Sequence, residues 1–176
     1  MTISTRELLK CLGDPKFVYI SVPITSGLTY RILTRNGQEL TKKDREVFVI
    51  GPNVEAANAL ATRLTDEGDE FLVLNPAQLS VNGWEDHDYM GFWVTLLTEN
   101  RPNVIMARNW QYSKGCQQEY LLALRLGLRV FSEVEDEDML PRGAIKLLDA
   151  SIKNLKDWGL DYSDLVAYKV EVEKHV

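Results

Sequence analysis

Only two cysteines, Cys11 and Cys116, occur in 176 residues, so neither a disulfide framework nor a zinc site is credible. The chain also lacks a basic surplus. Twenty lysines and arginines against 26 acids leave a net charge of −6, which argues against a general nucleic-acid binder. No apolar run approaches the roughly 20 residues needed to cross a bilayer. Residues 1–7 have no apolar core of the signal-peptide kind. Internal repeats and low-complexity tracts are missing as well. What remains is an ordinary globular composition, 45% hydrophobic and 26% charged, long enough for a single domain over residues 1–176. The expectation is a cytoplasmic protein without metal or cofactor, partnered by neither membrane nor nucleic acid.

Residues 113–127 organise the rest. They follow the apolar run Val104-Ile105-Met106-Ala107 and end at Gly127, before a second apolar run at 128–131. That order predicts strand, loop, helix and strand, with Ser113 as N-cap and Gly127 as the stop. At about 100° per residue, Gly115, Cys116, Leu122, Ala123 and Leu126 all fall within about 60° of Glu119. The carboxylate therefore lies on the core-facing stripe, near the positive end of its helix. A glutamate in a second helical turn is most often solvated or ion-paired. Gly115, one turn earlier on the same side, removes bulk above the acid, and the first-turn N–H groups with Ser113 offer an anion site nearby. Together these favour a working carboxylate. Cys116 reads as a small core residue.

The remaining elements follow in order. Residues 4–13 predict a short helix closed by Gly13. Residues 17–22 predict a strand buried on both faces, and it runs into the hydroxyl- and glycine-rich loop 23–27, which can cradle phosphate through its backbone. Residues 28–50 predict a hairpin about Asn36-Gly37, either a solvated ribbon or a basic lid over an anionic ligand, since Arg31, Arg35, Lys42, Lys43 and Arg45 all lie there. Residues 52–68 predict an amphipathic helix and 70–75 a second strand, hence a right-handed parallel crossover. The next helix opens with acids near 85–88. Asp86 or Asp88 serves there as a cap or, with a pKa raised by burial, protonates a leaving group. Trp110 and Tyr112 follow a strand's carboxyl end, where open α/β sheets place ligands; they stack on a flat base or plug the sheet. An acidic run at 132–138 reads as a connector, 141–158 as a helix opened by Pro141, and 160–176 as a strand or an oligomer contact. Leu121 and Leu124, on the outer side of the central helix, suggest a partner helix and so a homodimer.

These pieces resemble the nucleoside 2-deoxyribosyltransferase-like superfamily, in particular its small DUF4406-type branch. The resemblance rests on residues 19–27, on Asn53 with Ala56, Ala57 and Leu60 followed by Gly68 and Asn75-Pro76, on Trp84 with Tyr89-Met90, and on Trp110 with Ser113-Lys114-Gly115 through Glu119. It covers roughly residues 17–131. It implies an α/β fold: three layers around a mostly parallel flavodoxin- or Rossmann-like sheet, here with the hairpin-like insertion after the first strand. It also implies an N-glycosidic substrate, with Glu119 as nucleophile and Tyr19 as the first-strand tyrosine. Phosphate would fall to Ser21, Thr25, Ser26, Gly27 and Ser113, beside Gly115. The expected activity is cleavage of a nucleoside 5′-monophosphate, by hydrolysis or transfer, with Trp110 bordering base or sugar and Asp88 as acid. The alternative is a nucleotide- or nucleotide-sugar-binding module without turnover, favoured by Arg108-Asn109-Trp110 standing where the superfamily carries an aspartate.

Overall fold

The computed structural model describes residues 17–67, 72–134 and 138–176. The helix expected over 4–13, the Gly68 stop, the opening of the second strand and the middle of the acidic run lie outside these residues. Among the described residues four strands form one parallel sheet in the order β2-β1-β3-β4: β1 Phe17–Ser21, β2 Leu72–Leu74, β3 Asn103–Met106 and β4 Val130–Ser132. In β1 every residue is buried, as expected for a strand covered on both faces. Tyr19 lies opposite Leu74 on one side and Val104 on the other, and Ser21 lies opposite Met106.

Among the described residues seven α-helices accompany the strands: α1 Leu28–Leu33, α2 Lys42–Arg45, α3 Gly51–Glu67, α4 Asp86–Asn100, α5 Lys114–Leu126, α6 Pro141–Asp157 and α7 Ser163–Glu173. Alternation along β1 divides its side chains between two cores. Ile20 packs with Ala57, Leu60 and Ala61 of α3. Tyr19 packs on the other face with Phe92 and Leu96 of α4 and with Cys116, Tyr120 and Ala123 of α5. The result is a three-layer α/β protein. From β1 the chain steps outward to β2 across α3, then returns over the opposite face through α4 to β3. The direction of winding therefore reverses between β1 and β3, the crevice where doubly wound sheets bind ligands. No described helix is long and apolar enough to cross a membrane.

Two expectations are corrected here. Residues 28–50 contain no hairpin; they form α1, a 3-10 turn at Arg35–Gly37, α2 and a π-helical turn at Glu46–Ile50 that runs into α3. Asn36 and Gly37 do take the positive φ values that Asn-Gly suggests, 64° and 75°, but they join helices. The local signal for this was Thr41, whose hydroxyl caps α2 by accepting the Asp44 N–H at 3.1 Å. The π turn sits directly before Gly51-Pro52. Proline has no N–H to give, and its ring collides with the carbonyl four residues back, so the turn widens. The second correction concerns the tail, which is helix α7 rather than a strand. Leu165, Tyr168 and Val172 recur at helical spacing and are buried against the chain's own core. Leu121 and Leu124, read as a partner-helix contact, also pack in part against that core.

Candidate functional site

Tyr19 and Ser21 are two residues apart on β1, so both side chains emerge on the face covered by α5. Glu119 comes down from α5 to meet them. Its Oε1 accepts the Tyr19 hydroxyl at 2.6 Å and its Oε2 accepts the Ser21 hydroxyl at 2.5 Å. All three are buried, with Glu119 only 8% exposed, and no cation pairs with the acid among the described residues. Burial pushes the carboxyl up from the ordinary glutamate value of 4.5 to about 7, while the Ser21 and Tyr19 hydroxyls hold it back. Burial and the neighbouring acid raise the Tyr19 phenol well above its usual range, so Tyr19 stays a neutral donor. The Cys116 thiol, one turn before Glu119, is pushed up to about 12 by burial and by Glu119, which keeps it unreactive.

A cavity of about 920 Å³ opens beside this cluster at the carboxyl ends of β1 and β3. Thr25, Ser26 and Gly27 form one wall and Ser113, Lys114 and Gly115 the facing one, and the Ser26 hydroxyl bridges to Ser113 Oγ at 3.1 Å. Ser113 holds the N-cap position of α5 without using its side chain as a cap. With that oxygen turned across to Ser26, the first-turn N–H groups face the cavity without the usual side-chain acceptor. Gly27 has φ 111°, and a Cβ there would lie 3.2 Å from Pro23 Cβ, so the wall requires glycine. Gly115 is different. A Cβ would stand 3.9 Å from Met90 Cε and Ser113 Oγ, in ordinary contact. Tyr30, Tyr89, Trp93 and Tyr112 bring flat aromatic surface to the rest.

Glu119 itself does not line this cavity; Gly115, Cys116 and Gln118 from its helix do. Tyr19 and Ser21 likewise lie one layer behind the wall. Two other expectations are corrected. Trp110 does not border the cavity: its ring is buried in the core, 4.9 Å from the Tyr120 ring and 6.2 Å from that of Tyr168. Tyr112 is the aromatic of that loop which reaches the wall. Asp88 is absent from the lining too. Its Oδ2 accepts the Glu85 N–H at 2.9 Å as half of a reciprocal capping box at the start of α4.

Several residues take roles that the sequence did not indicate, the arginines of the expected basic lid among them. Arg45 donates to the Thr25 carbonyl at 3.0 Å, and the Asn53 amide donates to the carbonyls of Ile24 and Ser26 at 2.9 and 3.0 Å. These bonds fix the loop 23–27 from behind. The C-terminal residues Asp161, Ser163 and Asp164 close the far side of the cavity. Arg31 holds them there, ion-paired with Asp164 and donating to the carbonyls of Tyr112 and Asp161 at 3.3 and 3.4 Å. Asp161 is itself held below the usual aspartate range by the Ser163 N–H, so at neutral pH it accepts rather than donates. Among the described residues no cluster of His, Cys, Asp and Glu is placed to hold a metal ion.

Fold and crevice together define a doubly wound α/β protein with a cavity at its switch point. Residues 49–132, a little under half of the chain, match a domain of unknown function, DUF4406. The matched span runs from the π turn through β4; it includes Ser113, Gly115 and Glu119 but not β1 or the loop that follows it. No match to the chain is found among curated proteins or among solved structures.

Proposed function

We propose that the protein cleaves the N-glycosidic bond of a nucleoside 5′-monophosphate, as the likeness to nucleoside 2-deoxyribosyltransferase-like proteins suggests. The observation that carries this reading is Glu119: a buried acid without a cation, gripped by two hydroxyls, poised near neutrality beside a ligand-sized cavity. The phosphate would rest on the first turn of α5 with Ser26, Ser113 and Lys114, and the base against Tyr112 and Trp93. Ionised Glu119 attacks C1′; a carbon–oxygen bond forms as the bond to the base nitrogen breaks, and the bonding pair leaves with the base, which takes a proton from water. Water, or a second base, then displaces the carboxylate from C1′ and frees the acid. Attack requires Glu119 to change rotamer past Cys116, releasing one hydroxyl as substrate enters. The test is chromatographic detection of free base from a panel of ribo- and deoxyribonucleoside monophosphates. Base should appear with the native chain and vanish with Glu119→Ala; no release from any member, or undiminished release from the variant, refutes the proposal.

One observation favours a second reading. The carboxylate stands behind the cavity wall rather than in it, which suits a nucleotide-binding module without turnover. A ligand that raises the melting temperature and is recovered unchanged supports that alternative.

A further inference from the structure

A second cleft, about 460 Å³, opens on the other face of the sheet at the same switch point. Its floor is the inner stripe of α3, where Asn53, Ala56, Ala57 and Leu60 follow one another at helical spacing and the alanines leave the volume open. Arg63 and Arg108 both line it. Glu133, in the turn after β4, already occupies their surroundings with a carboxylate. One oxygen accepts the Arg108 backbone N–H at 2.6 Å and the other stands 3.6 Å from the Arg63 guanidinium. An oxyanion belonging to the chain thus sits on a backbone donor and beside a cation. It is loosely held at the arginine. The separation exceeds hydrogen-bond range and the Arg63 side chain is 48% exposed, conditions under which an ion pair contributes little.

We propose that this cleft is a second ligand site, for a small phosphate monoester whose phosphate replaces the Glu133 carboxylate on the Arg108 N–H and Arg63. The ester's body lies along the alanine floor. With Glu133 turned out, Arg63 and Arg108 present two positive charges, which suits a dianion better than a single carboxylate. The site does not depend on the glycosidase reading, because it shares only Val22 and Gly27 with the first cavity and none of the groups around Glu119.

The full chain titrated with inorganic phosphate at low salt, followed by amide NMR, tests this. The Arg108 and Ala56 amides should shift saturably, apart from any change at Lys114 and Gly115, which report the first cavity. Glu133→Ala should tighten phosphate binding about fivefold to tenfold, Glu133→Gln should tighten it less, and Arg63→Ala should weaken it about tenfold. Succinate should bind more weakly than phosphate. Shifts confined to Lys114 and Gly115, or unchanged affinity in well-folded Glu133→Ala and Arg63→Ala, would overturn the site. Succinate binding as tightly as phosphate would overturn the choice of a phosphate ligand.

Discussion

Burial and hydrogen bonding pull the Glu119 carboxyl in opposite directions, and burial wins by enough to place its titration at about 7. A folded-state value above the unfolded one means that the native protein binds the extra proton between about 4.5 and 7. This acid's contribution to stability is therefore fully present below that window, declines as pH rises through it, and levels off above. At about 1.4 kcal/mol per pKa unit the decline is on the order of 3 kcal/mol. Denaturant melts across pH should show the slope in the native chain and lose it in Glu119→Gln. Under the glycosidase proposal kcat/KM moves the other way, rising to a plateau above about pH 7, because only the anion attacks. Ser21→Ala removes one of the two donors that lower the value, so the rate profile, or carboxyl-carbon NMR, should report a titration shifted to still higher pH. A downward shift would show that the Ser21 hydroxyl does not act on the charged form.

At the scale of elements, the two cavity glycines predict different behaviour. Gly27→Ala forces a side chain into a positive-φ position and against Pro23, and should lower stability by about 1–2 kcal/mol in a thermal or denaturant melt. Gly115→Ala meets only ordinary contacts inside a helix and should raise stability by up to about 1 kcal/mol, while the methyl narrows the cavity and weakens nucleotide binding in titration calorimetry. The strand–loop–helix around Glu119 was legible because its cues agree: an apolar strand, Ser113 and Gly127 at the helix ends, and an acid on the inward stripe. The insertion was not. Asn36-Gly37 outweighed the Thr41 cap, although an Asn-Gly pair fixes only its own two residues and not what flanks them. Trp110 and Asp88 were misplaced for a related reason. Position after a strand, or at a helix start, names the neighbourhood but not whether the side chain turns to the cavity, the core or its own backbone.

For the whole molecule, the outer wall of the first cavity is assembled from parts far apart in sequence and outside the DUF4406 match. Arg31 ties α1 to the Asp161–Asp164 turn, so α7 stays seated over the cavity. Asp164→Ala should destabilise by about 1–3 kcal/mol and speed amide exchange in α7 well before exchange in β1 or β3. Equal exchange in the variant and the native chain would show that the core contacts of α7 hold it unaided.

The widened turn before Pro52 matters to the same loop. Eight regular helical steps separate Arg45 from Asn53 and would leave them about 80° apart around the axis. One surplus residue, absorbed where five residues form the wide turn, cuts the divergence to about 20°. A single rod can then clasp neighbouring carbonyls at two points, much as two fingers steady a wire. Deleting Val47 to restore regular winding leaves seven steps, again about 20° of divergence, so Arg45 should still hold Thr25; a deletion variant in which the loop 23–27 loosens would show that the wide turn does more than absorb one residue.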